Sequence, residues 1–387
     1  MVKGKGLKIG FVEVIPLLLG AFGLVMVFSA SSGIAVYKSV VPGSFLKQLL
    51  LFFFGVGLFF VTSKIKLKFW EKFSLFFLIL AGFLLVITYF YGLEINGARR
   101  WLAIRFFNMR FSFQPSIFAQ FALVVFFAKK RDFGISILVI SIIMGLIIIQ
   151  PDISMSFLTL VVGAVMLFLN STNDGKVAAF FAVMLFIGLI FLSREGYAVS
   201  RINHHMNSDS VTATVQAISH GGLSGLGLGS GMEKFFYIPL PDSDFIFSII
   251  GEELGFTGCL LIIGLFVIYF ISAIKTSLKS PDEYSSLLGL GLVSFIGMYA
   301  LLHVYVSLGI VPVTGVPLPF ISSGGTALMM VYMAGGVIVS IEKERNRIGG
   351  RNGRTYLSGS NSRAGDRKKR IPGGLYRKQF RTRKRAS

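Results

Sequence analysis

Residues 241–255 read PDSDFIFSIIGEELG: two aspartates stand at the mouth of an apolar run and two glutamates lie inside it. A chain with 18 acidic residues in 387 places four of them in this one stretch. Ser243 or Asp242 can cap the helix that the run predicts, and Asp244 falls in its first turn, where a carboxylate favours the positive end of the helix dipole. That explains one aspartate but neither Glu252 nor Glu253, which at about 1.5 Å per residue lie roughly 12 to 14 Å further along the axis. Ionisable side chains at such depth face a cavity or a partner. At about 100° per residue, Glu252 sits ~80° round from Asp244 and Glu253 ~180°. Glu252 is therefore expected on the Asp244 side, and Glu253 against a basic or backbone group elsewhere.

The rest of the chain fits a helix of this kind. It is 54% hydrophobic and 14% charged, with a mean hydropathy of +0.75, where a soluble globular protein carries roughly 25% charged residues. This is an integral membrane composition. Stretches near 20 apolar residues long fall at 9–30, 44–62, 72–91, 113–128, 133–149, 153–170, 176–193, 245–274, 285–309 and 319–341. The expected fold is an all-α integral membrane protein of about ten transmembrane helices, forming one polytopic domain over 1–341. A large extracytoplasmic loop, 194–244, separates spans seven and eight, and a basic disordered cytoplasmic tail covers 342–387. The first span ends in SASS but, with nine spans behind it, reads as an uncleaved helix rather than a signal peptide. The single cysteine, Cys259, excludes a disulfide within the chain and a Cys-ligated zinc site.

From Glu342 onward the chain holds 16 of its 38 Lys and Arg residues and three of its 18 acidic ones. Rich in Gly and Ser and directly following a span, this tail is read as facing anionic lipid or a partner, not nucleic acid. Positive-inside counting puts Lys3, Lys5, Lys8, Lys64, Lys66, Lys68, Lys72, Lys129, Lys130, Arg131, Lys275, Lys279 and the tail on the cytoplasmic side. Both termini are then cytoplasmic, and 92–112, 150–152, 194–244 and 310–318 face outward. GARRWLAIRFFNMR breaks the rule with Arg99, Arg100, Arg105 and Arg110; snorkelling to headgroups and holding an anionic substrate account for them equally. QAISHGGLSGLGLGSGMEKFFYIPLPDSDF, in the large loop, reads as a wide, mobile segment whose glycines let backbone approach a ligand, with Lys234 at its exit. QPD (150–152) reads as a turn or a site. VPVTGVPLPFISSGGT (311–326) reads as a discontinuous segment, tolerated in a bilayer only where protein or water covers it. His303 reads as an interior histidine, and His204, His205 and His220 lack a metal spacing, so no residue is assigned to a metal.

Taken in order, GLVMVFSASSGIA (23–35), GARRW (97–101), QPS (114–116), QPD (150–152), GGLSGLGLGSGMEK (221–234), DFIFSIIGEELGF (244–256) and PVTGVPLPFISSGGT (312–326) resemble the family of shape, elongation, division and sporulation proteins. The resemblance runs over about residues 10–345 and is greatest to the division members. It implies a peptidoglycan glycosyltransferase of the bacterial cytoplasmic membrane, at the division septum, that polymerises lipid II. A class B penicillin-binding protein would be its transpeptidase partner, among other division proteins.

The family's essential aspartate falls on Asp244, implied as the base that deprotonates the attacking sugar hydroxyl while undecaprenyl pyrophosphate leaves the other sugar with inversion. The resemblance further implies substrate contacts from Arg99, Arg100 and Lys234 to the pyrophosphate, from Trp101 to sugar or isoprenoid, and from Asp242, Asp152, Ser322 and Gly324. Glu252, Glu253 and His303 would be structural within the membrane. A divalent cation, Mg2+ or Mn2+, or the arginine pair would balance the pyrophosphate. The chain departs from the family pattern at Ile117 and Gln120, where a glutamate and a lysine are common, at IPLPD (238–242), at Ser323 and at His303. A flippase that moves lipid II without forming a bond, and a non-catalytic scaffold for division partners, are the competing readings. The polar groups cluster at one face rather than at the midplane, which counts against the flippase; replaceability of Asp244 by Asn would mark the scaffold.

Overall fold

The computed structural model describes residues 10–38, 43–95, 97–106, 109–129, 132–170, 175, 209–236, 238 and 240–360. The expected span 176–193, His204, His205 and the tail beyond Ser360 lie outside the described residues. Two compact units divide the chain, Met1–Arg345 and Asn346–Ser387, and everything below concerns the first except the end of one helix.

Helices α1 (Phe11–Lys38), α2 (Gly43–Thr62) and α3 (Leu67–Tyr91) come first. Three strands follow, β1 (Leu93–Ile95), β2 (Ala98–Phe106) and β3 (Met109–Phe113). They form an antiparallel sheet in the order β1-β2-β3, with Glu94 opposite Arg99 and Arg105 opposite Arg110. Then come α4 (Pro115–Phe127), α5 (Phe133–Ile149) and α6 (Ile153–Asn170). The described part of the large loop holds α7 (Asp209–Gly221) and the single turn α8 (Glu233–Phe236). Last are α9 (Ile246–Leu278), α10 (Glu283–Ser307) and α11 (Gly325–Ser360). Seven of the described helices are long and apolar enough to cross a membrane, with α4 and α5 as shorter apolar helices. The all-α class holds, but 92–112 is a small sheet rather than a plain loop.

Helix α4 is the pivot of the bundle. Its 13 residues are all buried; at about 1.5 Å per residue it spans only ~20 Å of a ~30 Å hydrocarbon layer. A short helix is tolerated here because α3, α6 and α10 surround it and lipid does not. Gln120 on α4 is its polar tie. The amide donates to Met155 O and Thr159 Oγ, each at 3.1 Å, and accepts the Tyr299 hydroxyl at 2.7 Å, so α4, α6 and α10 share one satisfied network. The outward surfaces are apolar: Phe53, Phe54, Phe76 and Phe83 are exposed, as lipid-facing side chains are.

Two breaks in helical order carry the site. Helix α9 is interrupted at Gly255, at φ 68 and ψ −167, where a Cβ would collide with the backbone of Leu223 and Gly225. Between α10 and α11, residues 308–324 are not helical, because Pro312, Pro317 and Pro319 offer no N–H. Helix α11 thus begins at Gly325 rather than at the expected 319. Phe320 anchors this segment in the left-handed region at φ 65. Its buried ring packs edge-on against Tyr269 and Tyr332 at 5.7 and 5.3 Å, contacts worth about 0.5–1.5 kcal/mol each that offset the strain. At its other end α11 continues to Ser360, so the first part of the expected disordered tail is helical.

Candidate active site

Asp242 and Asp244 sit on a tight turn ahead of α9. The N–H groups of Ser243 and Asp244 both return to Leu240 O, at 3.2 and 3.1 Å. Asp242 is fixed to the start of α11: Ser323 N donates to its carbonyl at 2.9 Å and Ser323 Oγ to its Oδ2 at 3.0 Å. The segment after α10 lies beside Asp244, with Gly315 at φ 66 positioned so that a Cβ there would stand 3.9 Å from Asp244 Oδ2. Both aspartates keep some accessible surface. Burial pushes the Asp244 carboxyl up to about 6; the Ser243 hydrogen bond pulls against it and the Asp242 charge adds to it. A carboxylate of that basicity is ionised at neutral pH yet accepts a proton more readily than an ordinary aspartate.

A second cluster adjoins the same helix start. Arg100 reaches Asp152 at 4.0 Å and donates to Pro151 O. Gln114 Nε2 donates to Asp152 Oδ2 at 3.0 Å, while Gln114 N donates to Thr326 Oγ1 at 2.8 Å, in the first turn of α11. Asp152 also receives Met155 N at 3.4 Å at the start of α6. QPD is thus both a turn and a polar anchor. Gln114 and Thr326 were not among the sequence candidates; a lone glutamine opening a short apolar helix was the available signal.

The two arginines expected as a pair have different partners. Successive strand residues point to opposite faces, so Arg100 turns toward Asp152 while Arg99, half-exposed, turns toward Glu94 at 3.1 Å and Phe90 O at 3.1 Å. Trp101, partly exposed, pairs across the sheet with Leu93.

Lys234 is also moved from its expected place. Its side chain is fully buried and its Nζ lies 2.6 Å from Glu253 Oε1, 3.1 Å from Gly229 O and 3.2 Å from Ser29 Oγ. Ser29, in the SASS end of the first span, also donates to Glu253, and Gly229 N donates to Glu253 Oε2 at 3.0 Å. Glu252 Oε1 accepts from Met232 N and Glu233 N at 2.6 and 3.1 Å. The glycine-rich segment is therefore no wide mobile loop. Its backbone is laid on the broken α9, Leu226 N and Gly227 N donating to Glu252 O and Glu253 O, Phe256 N to Gly222 O. The positive φ of Gly255 and Gly225 makes that contact possible. Glu253 has the basic partner expected of it, and Glu252 is bound to the loop.

His303 Nδ1 lies 2.8 Å from Val316 O and so supports the segment beside Asp244. Ser322 turns inward, its hydroxyl accepting Leu318 N at 2.8 Å. Gly324 packs under Pro317 at the start of α11. The structure thus gathers Asp242, Asp244 and Gly324 at one mouth, joins Arg100 and Asp152 to it through Gln114, and places Arg99, Lys234 and the Ser322 hydroxyl elsewhere.

Residues 11–347 match the model of the cell cycle protein family of FtsW, RodA and SpoVE. The chain belongs to this family. It is 34% identical over 362 residues to the stage V sporulation protein E of Bacillus subtilis, covering 85% of this chain and 95% of that one. It is 32% identical over 352 residues to a probable peptidoglycan glycosyltransferase FtsW of Trichlorobacter lovleyi, covering 84% and 90%. In fold it is similar to a chain of a peptidoglycan synthase complex that coordinates polymerization and crosslinking, with a TM-score of 0.71, 21% identity and coverage of 86% and 97%. The rod shape determining protein RodA of Thermus thermophilus is similar too, at a TM-score of 0.65, 22% identity and coverage of 86% and 96%. Like other members of the family, the chain is a multi-pass membrane protein.

Proposed function

We propose that this protein is a peptidoglycan glycosyltransferase that polymerises lipid II into glycan strands during cell division, with Asp244 as its general base. The observation that carries the reading is a half-buried carboxylate, its pKa pushed up to about 6, standing beside a non-helical segment at one end of a family-type bundle. Asp244 takes the proton from the attacking sugar hydroxyl of one lipid-linked disaccharide. The new C–O bond forms at the anomeric carbon of another, and the bond to undecaprenyl pyrophosphate breaks on the opposite face, with inversion. Arg100, which Asp152 and Gln114 tie to the α11 start, supports the leaving pyrophosphate.

Among the described residues no group of three His, Cys, Asp or Glu side chains is placed to hold a metal. A divalent cation, Mg2+ or Mn2+, accompanies the substrate pyrophosphate in this reading. The partner is a class B penicillin-binding protein transpeptidase, joined by other division proteins at the septum, with both termini cytoplasmic. The break in α9 and the buried Glu252 and Glu253 also suit a transporter of lipid II. Polymer formation from labelled lipid II by the purified protein with its transpeptidase partner decides between them. Glycan strands from wild type that vanish in Asp244→Asn are expected; lipid II crossing vesicles without polymer from either protein would sink the polymerase.

A further inference from the structure

A cavity of about 120 Å³ opens between the first turns of α2 and the start of α11, lined by Lys47, Gln48, Leu51, Asp242, Ser323, Gly324 and Gly325. That is room for roughly four water molecules at about 30 Å³ each, or for one edge of a sugar ring. Three features of its wall go beyond packing. Gln48 is 2% exposed, and its Oε1 has no hydrogen-bond partner. The amide orientation is fixed, since Nε2 donates to Ser322 O at 3.3 Å and a flipped amide would set two oxygens against each other. A buried acceptor left bare costs about 1–3 kcal/mol, so a donor on an incoming molecule is the natural partner. Across the cavity stands Asp242, a second acceptor held in place by Ser323. Lys47 supplies an ammonium, and the α11 N-terminus contributes the unpaired N–H groups that begin any helix.

The mixture selects a ligand class. A pyrophosphate has only acceptor oxygens at its surface: Lys47 and the α11 N-terminus suit it, but it would also meet a carboxylate and a bare carbonyl oxygen. Hydroxyl groups both donate and accept, and an acetamido group carries one N–H and one carbonyl, so the several hydroxyls of a sugar, or one hydroxyl with the acetamido group, satisfy Gln48, Asp242 and Lys47 together. We infer that this cavity is a saccharide subsite, in which Gln48 and Asp242 accept hydroxyl or amide protons of the substrate's sugar headgroup and Lys47 donates to it. The inference rests on the polymerase reading above and assigns Lys47 and Gln48, which that reading leaves without a role, to substrate positioning. Asp242, which lines the cavity, shares its turn with Asp244, the proposed base.

The test is equilibrium binding of fluorescent lipid II, and of undecaprenyl pyrophosphate as the probe without sugar, to the full-length Asp244→Asn protein in detergent. Gln48→Leu removes the acceptor and the donor to Ser322; Gln48→Glu keeps the acceptor and replaces the amide donor with a carboxyl, which donates to Ser322 O in its protonated form. Lipid II binding is expected to weaken about tenfold in Gln48→Leu, a ~1.4 kcal/mol loss, and to stay within about threefold in Gln48→Glu. Undecaprenyl pyrophosphate should bind both alike. Equal weakening in the two Gln48 variants, equal weakening toward both lipids, or no weakening would each overturn the subsite while leaving the polymerase in place. A wild-type protein that fails to bind lipid II at all overturns the polymerase and the subsite with it.

Discussion

Two acidic pairs lie within one short stretch, and the molecule treats them in opposite ways. Glu252 and Glu253 are fully buried, and between them they hold Lys234, Ser29 and three backbone N–H groups. Asp242 and Asp244 sit half-buried on a turn, anchored by Ser323 on one side and open on the other. The first pair is bound up in structure and fixes the glycine-rich loop to α9. The second keeps spare acceptor capacity, and its inner member is destabilised as an anion. Glu252 Oε2 has no hydrogen-bond partner either, so neither depth in the membrane nor spare acceptor capacity alone marks the reactive carboxylate; accessible surface beside a non-helical segment, as at Asp244, is the difference.

The largest effect that this contrast predicts is on rate. Asp244→Asn keeps size and shape and removes the base, and general-base catalysis is worth about 10²–10⁴-fold. Turnover of lipid II should fall by that factor in a gel or mass assay of glycan strands, with the thermal unfolding midpoint unchanged. Retained turnover would reduce Asp244 to a helix-start charge.

On the other side of the comparison the loss should be in stability. Lys234→Met strands Glu253 in the bundle, and breaking a buried ion pair costs about 3–5 kcal/mol. Thermal unfolding in detergent should drop clearly. Adding Glu253→Gln, whose amide oxygen can still accept from Ser29 and Gly229, should restore most of it. If the double variant unfolds as early as the single one, the brace is not the pair that the geometry describes.

Much of this was legible in the chain. Apolar length gave the described helices, and the four acidic residues of 241–255 pointed to the turn that Ser323 joins to the start of α11. What escaped the sequence depended on contacts between distant segments. The adjacency of Arg99 and Arg100 suggested a pair, but a strand's alternation separates them, and the stretch carried too few turn residues to declare a strand. The glycines of 221–231 looked like freedom, whereas Gly221 and Gly225 are needed for backbone to lie on the backbone of α9. Lys234 looked like a substrate cation because its partner Glu253 is 19 residues away and its neighbour Ser29 is 205 away. Asp242 and Ser323 meet only because the prolines of 312–319 delay the start of α11.

A finer probe of the mouth is its acid limb. Asp244 is raised, so the base is present above about pH 6 and is lost as pH falls through that value. The kcat/KM profile should therefore lose activity below about pH 6, higher than an ordinary aspartate near 3.9 would give. Asp242→Asn removes a neighbouring negative charge and should move that limb to lower pH. A limb that stays put, or moves up, would mean that the titrating group is not Asp244.

The smallest effects should divide the two arginines of β2. Arg99 is half-exposed against Glu94, and exposed pairs contribute about 0–1 kcal/mol, so Arg99→Ala should leave stability and polymer yield nearly unchanged. Arg100 is mostly buried against Asp152 and Pro151, in a cluster that Gln114 ties to the α11 start. Its loss leaves a buried carboxylate short of its cation and takes a positive charge from beside the proposed leaving group. Arg100→Ala should therefore lower turnover several-fold more than Arg99→Ala, measured in the same strand assay. Equal effects would return the two residues to the pyrophosphate-binding pair that the resemblance implied.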